Sequence, residues 1–292
     1  MLSAFHVLWS LPSVKKGMNF TLSQAELLTL LISALMWRKN NGIITLFTDR
    51  IGYEYILSKN LEWLYDVIDT ETLDGHYYDI NPEVFWAAGK LIALKHHDAP
   101  CVMLDHDLIV LDNLQHFTGN YDVLAFHPEE LDPEIYIDRE YLKCPVGYEF
   151  PEQFKWNVKP LNTALLYIRN DDFKEIYTKY TFDFMIKNIE YPKEYISQMV
   201  FAEQRMLAMI ANMYGQKIGT VLNDPFTLDN KHFIHLWGYK QVLRNNSKLE
   251  RHFIDRLIKT FEDDLSNFRE FEPWLKQFII QNNTDIYAMH QM

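Results

Sequence analysis

The triplet Asp105-His106-Asp107 interrupts an apolar stretch, with Val102-Met103-Leu104 before it and Leu108-Ile109-Val110 after it. In an extended chain, residues two apart point the same way, so the two aspartates are expected to converge on one side while His106 turns to the other. Carboxylates gathered at the end of a buried strand are costly unless something positive meets them. A divalent cation would remove that cost. Oxygen ligands suit Mg²⁺ or Mn²⁺, and an added imidazole tilts the choice toward Mn²⁺. The alternative is a polar turn between two strands in which both aspartates cap local amides. A second segment, His232-Phe-Ile-His-Leu-Trp-Gly-Tyr-Lys240, follows with His235, Gly238 and Lys240 close together. These would supply a third metal ligand, backbone room for a pyrophosphate and a cation to hold it. The competing reading of His235 is a core histidine beside a tryptophan in a turn. Lys90, on the helix leading into the acidic strand, would bring its ammonium over the same site, or else belong to a solvated helical face.

The elements that must position these groups alternate between strand-like and helix-like stretches through the first two thirds of the chain, which favours an α/β sheet covered by helices. Phe5 to Ser10 reads as a first strand. Ser23 caps a helix over Gln24 to Lys39, with Glu26 completing a capping box and Asn40-Asn41-Gly42 ending it. Strands are expected at Ile43–Thr48 and near Tyr65–Ile68, with a helix over Tyr53–Lys59 between them. Asn81-Pro82-Glu83 reads as a helix start, followed at helical spacing by Phe85, Ala88, Ile92 and Lys95. Later strands fall at Tyr121–Phe126, Leu161–Ile168, Lys217–Leu222 and His232–Leu236, and helices at Asp171–Lys187 and Gln198–Tyr214. Beyond Arg244, Leu249, Phe253, Leu257 and Phe261 form one apolar helical face. The expected layout is residues 1–240 as one α/β domain and 241–292 as a helical extension packed on it.

Composition narrows the partners. The 292 residues are 48% hydrophobic, enough for a sizeable core, and 40 acidic against 28 basic residues leave a net charge of −12. With no Lys/Arg cluster, a phosphate backbone would be repelled, so nucleic acid is not an expected partner. Cys101 and Cys144 lie too far apart for a zinc pattern and read as buried thiols in a reducing compartment. The apolar run Leu27–Trp37 falls short of the roughly 20 residues that span a bilayer. Lys15 and Lys16 follow the apolar N-terminus where a signal peptide would place them before it. A cytoplasmic location, with the inner face of a membrane included, is the expectation.

The run Phe85-Trp-Ala-Ala-Gly-Lys90 … Cys-Val-Met-Leu-Asp105-His-Asp107-Leu-Ile-Val-Leu resembles the segment of GT-A-fold glycosyltransferases that ends in their D-x-D motif. Pro160-Leu-Asn162-Thr163-Ala-Leu-Leu-Tyr-Ile is similar to the F-N-[ST]-G-[VL]-L-L-I strand of the lipopolysaccharide galactosyltransferase and glycogenin type. Ala202-Glu203-Gln204-Arg-Met-Leu207 is similar to that group's D-Q-x-x-L helix, and His235-Leu-Trp-Gly238-Tyr-Lys240 to its closing H-[FY]-x-G-x-x-K-P-W element. Ala164 stands where the pattern has glycine, Glu203 where it has aspartate, and Lys240 comes one position early without the Pro-Trp. Capsular-polysaccharide sugar transferases carry comparably loose versions.

This resemblance implies a GT-A-like mixed, mainly parallel sheet flanked by helices, and a metal-dependent transfer of a sugar from a nucleotide-diphosphate donor, UDP-linked by preference, to a glycan or lipid-linked acceptor in bacterial polysaccharide synthesis. It makes Asp105, Asp107 and His235 the ligands of Mn²⁺ or Mg²⁺, and gives Lys240 and Lys90 to the phosphates. Trp9, Ser10 and Asp49, at the ends of the first strands, would meet the nucleotide, and Asn162 and Gly238 the donor. Glu203 and Gln204 fall at the reaction centre, with Glu203 as general base if the reaction inverts. Two other readings stand beside it: a catalytically silent carbohydrate-binding or scaffold protein of the same fold, and a sugar-phosphate nucleotidyltransferase, whose glycine-rich loop is missing from Trp9–Lys15.

Overall fold

The computed structural model describes residues 1–75, 79–188, 195–227 and 230–281. Its strands are β1 (Ser3–Leu8), β2 (Ile44–Thr48), β3 (Val67–Asp69), β4 (Cys101–Leu104), β5 (Leu108–Val110), β6 (Val123–Ala125), β7 (Leu165–Ile168), β8 (Ile218–Thr220) and β9 (Phe233–His235). Helices α1 (Leu11–Lys15), α2 (Gln24–Asn40), α3 (Arg50–Ser58), α4 (Ala88–His96), α5 (Gln115–Thr118) and α6 (Asp171–Met185) fall between them. A continuous helical run joins α7 (Tyr195–Val200), a π-helical turn at Phe201–Arg205 and α8 (Met206–Met213), and the chain goes on through α9 (Tyr239–Arg244), α10 (Ser247–Leu265) and α11 (Phe271–Gln281).

Seven strands form one sheet in the order β3-β2-β1-β4-β7-β6-β8, in which β7 alone runs against the others. This is the mixed, mainly parallel sheet flanked by helices that the sequence led us to expect. Its central strands are buried on both faces, and the two-residue period decides which layer each side chain joins. Val102 and Leu104 belong to the core under α2 and α10, while Cys101 and Met103 belong to the core under α4, α6 and α8. Leu165 and Tyr167 against Leu166 and Ile168 repeat the division on β7. The chain adds β2 and β3 on one side of β1 and then returns to place β4 on the other. That reversal opens a crevice at the carboxyl ends of β1 and β4.

Helix α2 is buried from Ala25 to Trp37, all round rather than along one stripe. The C-terminal helices explain this, because α10 and α11 share its core through Ile254, Leu257, Phe261, Trp274 and Phe278. Polar contacts fix the same junction: Ala25 N donates to Glu250 Oε1 of α10, and Arg244 of α9 clasps both oxygens of Glu26 at 2.9 and 2.8 Å. The expected capping box of Ser23 and Glu26 is present. Gly42 closes the helix at φ +155°, and a Cβ there would come within 2.6 Å of the Leu2 carbonyl oxygen. No helix among the described residues is long and apolar enough to cross a membrane.

Several boundaries differ from expectation. Asn81-Pro82-Glu83 does not start a helix: Asn81 Oδ1 accepts from Glu83 N and its carbonyl from Phe85 N, which makes a single turn, and α4 begins only at Ala88. Helix α3 begins directly at Arg50 because Asp49 caps it by accepting from Gly52 N. Cys144 is half-buried rather than buried. Residues 282–292, assigned to the helical extension, lie outside the described residues.

Burial alone would raise the Glu26 carboxyl pKa, yet hydrogen bonds from Ser23 and Arg244 hold it below its ordinary value of 4.5. A carboxyl depressed in the folded state stabilises fully above that ordinary value, and the stabilisation is lost as pH falls through the lowered one. Glu26→Gln is therefore expected to cost about 1–2 kcal/mol at pH 7 in urea unfolding, with the gap to wild type closing below pH 4.5.

Candidate active site

Strand β4 delivers Asp105 to the crevice, where its backbone N–H donates to the Ala164 carbonyl of the strand alongside at 2.8 Å. The chain then turns rather than remaining extended, as Leu108 N donates to the Asp105 carbonyl, and β5 leaves the main sheet. Strand β5 pairs with β9 antiparallel, Leu108 opposite His235 and Val110 opposite Phe233, and Leu236 N donates to the Asp107 carbonyl. This two-stranded ribbon carries His235 to the acidic turn across a long gap in sequence. One ligand atom each from Asp105, Asp107 and His235 then lies within 4.8 Å of the others.

The cleft around them has a volume of roughly 980 Å³. Its wall brings together most of the residues singled out from the sequence: Trp9, Lys90, Asp105, Asp107, Asn162, Glu203, Gln204, His235, Gly238 and Lys240. It does not include Ser10 or Asp49. Asp49 Oδ2 accepts from Ser10 N, Ser10 Oγ and Leu11 N, and Oδ1 from Gly52 N, so this carboxylate fastens the end of β1 to α3 and has nothing left for a ligand. His106, expected to turn away from the aspartates, also reaches the cleft wall.

Two lysines meet the carboxylates. Lys90 Nζ lies 2.6 Å from Asp105 Oδ1 and 2.6 Å from Glu203 Oε1, and Lys240 Nζ lies 2.9 Å from Asp107 Oδ2. Burial alone would lower the Lys90 pKa, but the carboxylates of Asp105 and Glu203 raise it above the ordinary lysine value. Burial would likewise raise Asp105, and Lys90 and Lys240 instead bring it down to about 2. Burial pushes His235 and His106 down, which keeps the His235 ring neutral and able to bind a metal. Neither oxygen of the buried Asp107 has a hydrogen-bond partner, and the Lys240 approach is a contact between charges without hydrogen-bond alignment. The alternative in which Asp107 caps a local amide therefore fails. Two carboxylates, a neutral imidazole and orphaned buried oxygens fit a divalent cation.

Glu203 and Gln204 stand on the π-helical turn Phe201–Arg205, which is one residue wider than the α-helical turns flanking it. Partners outside the helix serve the carbonyls of that turn: Tyr177 Oη donates to Glu203 O at 2.6 Å and Leu161 N to Gln204 O at 3.3 Å. Tyr136 Oη donates to Gln204 Oε1, which turns the amide NH₂ away from the tyrosine. Asn162 is held through Glu129 Oε1 and Ala164 N. Gly89 lets α4 lie against Trp9, because a Cβ there would meet the Trp9 Cβ at 2.9 Å.

Sequence reasoning missed Tyr136, Glu129, Trp86 and Phe226, all of which line the cleft. Tyr136, Glu129 and Phe226 come from connections whose patterns carry no periodicity, and Trp86 was quoted in the run before Lys90 without a role. Trp237 was quoted without a role. It adopts φ +41°, a conformation bulky residues rarely hold, while its side chain stays 44% exposed beside Phe226 and His235. Gly238, expected to leave room, has an ordinary backbone and open space beyond its Cα.

A family model described as "Family of unknown function (DUF6734)" matches residues 4–270, so the chain belongs to that family. No curated protein matches it. Among solved structures it is similar to the glycosyltransferase GlyE of Streptococcus pneumoniae TIGR4, with 13% identity, 76% of this chain and 46% of that one covered, and a TM-score of 0.36. The chain thus spans about half of the length of GlyE. It is also similar to the galactosyltransferase LgtC in complex with donor and acceptor sugar analogs, with 13% identity, coverage of 75% and 73%, and a TM-score of 0.36. A putative glucose-1-phosphate thymidylyltransferase from Bacillus anthracis gives 10% identity, coverage of 85% and 94%, and a TM-score of 0.42.

Two outcomes are expected. Lys90→Met strands Glu203, whose side chain is only 4% exposed, and should cost about 3 kcal/mol in urea unfolding, part of it recovered by adding Glu203→Gln. At position 237 the usual order of alanine over glycine should invert: Trp237→Gly should be more stable than Trp237→Ala by about 1 kcal/mol, read from thermal midpoints, because only glycine adopts this backbone without strain.

Proposed function

We propose that this member of a family with no assigned function is a metal-dependent glycosyltransferase that moves a sugar from a nucleoside diphosphate, a UDP-sugar by preference, to a hydroxyl of a glycan or lipid-linked acceptor. The observation that carries the reading is the meeting of Asp105, Asp107 and His235 at one point of a large cleft, with lysines on both sides. A divalent cation held by these three would act as a Lewis acid toward the leaving diphosphate. Lys240 adds a second positive group for the same phosphates, and the open space at Gly238 lets them approach the backbone.

On the sugar side, Lys90 holds Glu203 in place and Tyr136 engages Gln204 Oε1, which leaves the amide NH₂ of Gln204 as a donor, so the widened helical turn places a carboxylate and an amide on the cleft wall. Asn162, fixed through Glu129, borders the same space. Trp9 and Trp237 offer flat faces for a base or a sugar ring. We leave Ser10 and Asp49 out of the donor site, since both are consumed within the protein. The C-terminal helices α10 and α11 belong to the same unit, since they complete the core around α2.

The purified protein is expected to turn over one member of a panel of UDP-, GDP- and CDP-sugars only with Mn²⁺ or Mg²⁺ present. Asp107→Ala should lower that rate by about a hundredfold or more. Turnover unchanged in Asp107→Ala, or undiminished in excess chelator, defeats the assignment.

A further inference from the structure

We infer that Lys240 is an internal counterion that competes with the metal for Asp107, so that the protein takes up its cation together with a diphosphate and holds it poorly without one. This inference rests on the metal reading given above. Asp107 Oδ2 is the shared point: it lies 2.9 Å from Lys240 Nζ and 3.7 Å from His235 Nε2. A cation bound between Asp107 and His235 would press against the oxygen that the ammonium already occupies. Two positive centres a few ångströms apart in a half-buried site repel strongly enough to lower metal affinity by at least about tenfold.

The charges around the turn show why the two ligands help one another. Among the described residues, Asp105, Asp107 and Glu203 pair with Lys90, Lys240 and the uncharged His235, so at the turn itself three negative groups face two positive ones, and a divalent cation added there alone reverses the local balance. A diphosphate restores it by accepting both the metal and the displaced ammonium. Coupling of this kind is reciprocal, so the metal must tighten diphosphate binding by the same factor.

Lys240 is the cation that can move. Lys90 is held by two carboxylates and its side chain is 17% exposed, whereas Lys240 pairs with one carboxylate among the described residues and is 33% exposed. Lys240 also sits in α9, a helix of six residues just past the ribbon that carries His235, and so can swing without disturbing the strand pairing.

The test measures bound manganese by equilibrium dialysis on the full chain, first with Mn²⁺ alone and then with UDP, ADP or GDP added. Lys240→Met should bind Mn²⁺ alone at least about tenfold more tightly than wild type, and Lys240→Arg, which keeps the charge, should behave as wild type. In wild type a diphosphate should raise manganese uptake markedly, and in Lys240→Met it should add little. Asp107→Asn in the Lys240→Met background should lose the gain, which ties the bound ion to this site, and far-ultraviolet circular dichroism confirms that each variant is folded. If Lys240→Met binds no more tightly than a wild type that does bind Mn²⁺, or if wild type binds equally well with and without every diphosphate, the inference is overturned while the metal site stands. If no variant takes up manganese under any of these conditions, the metal reading falls and this inference with it.

Discussion

The cleft depends on how three buried or half-buried carboxylates are kept there at all. Asp107 is 1% exposed and Glu203 3%, and Asp105 borders them from the end of β4. Anions in such a place must be met by positive charge or they destabilise the fold by several kcal/mol. Lys90 answers two of them and Lys240 the third. At this turn the supply of cations is short by one, which leaves the turn electronegative. A surface turn with the same residues would have been solvated and would have carried no such demand.

The second constraint is topological. Lys90 comes from α4, Asp105 and Asp107 from the turn after β4, Glu203 from the π-helical turn, and His235 and Lys240 from the β5–β9 ribbon and the helix behind it. A sheet that reverses its winding beside β1 leaves a crevice at the strand ends, where such segments can meet. Departure of β5 from the main sheet then matters as much as the sheet itself. If the strand had continued through Asp105 to Val110, Asp107 would have stayed in line with β4, and β9 would have had no edge on which to bring His235. The bend between β4 and β5 therefore turns a pair of acidic side chains into a cluster of three residues that could hold a metal ion.

Much of this was legible in the chain. Ser23 and Glu26 marked the start of α2, the alternating apolar strands marked the sheet, and the Asp105–Asp107 and His235–Lys240 segments pointed to one site although more than a hundred residues separate them. Those signals are local patterns of residue type, and they survive into the fold because packing agrees with them. What was hidden is where local patterns compete with tertiary demands. Asp49 looked like a strand-end ligand, yet a carboxylate beside an incipient helix is captured by the nearest amides, those of Ser10, Leu11 and Gly52. Asn81-Pro82-Glu83 looked like a helix start, and the Asn81 side chain instead closed a single turn. Tyr136 and Glu129 reach the cleft from a long connection between β6 and β7 that has no periodicity to read.

The π-helical turn shows a further limit of pattern reading. A regular α-helix over Gln198 to Tyr214 accounts for the apolar positions there, and only the structure shows that Phe201–Arg205 is widened. The inserted residue changes the direction of every side chain that follows it. Glu203 then meets Lys90 in the cleft, Gln204 meets Tyr136, and Arg205 points into the excursion to bind the carbonyls of Tyr136, Ile137 and Trp156. Three consecutive polar residues thus serve one purpose in different directions: the first two equip the cleft, and the third fixes the segment that carries Tyr136. Tyr177 and Leu161 donate to two carbonyls of the widened turn, so hydrogen bonds from outside the helix help to hold the geometry of the cleft.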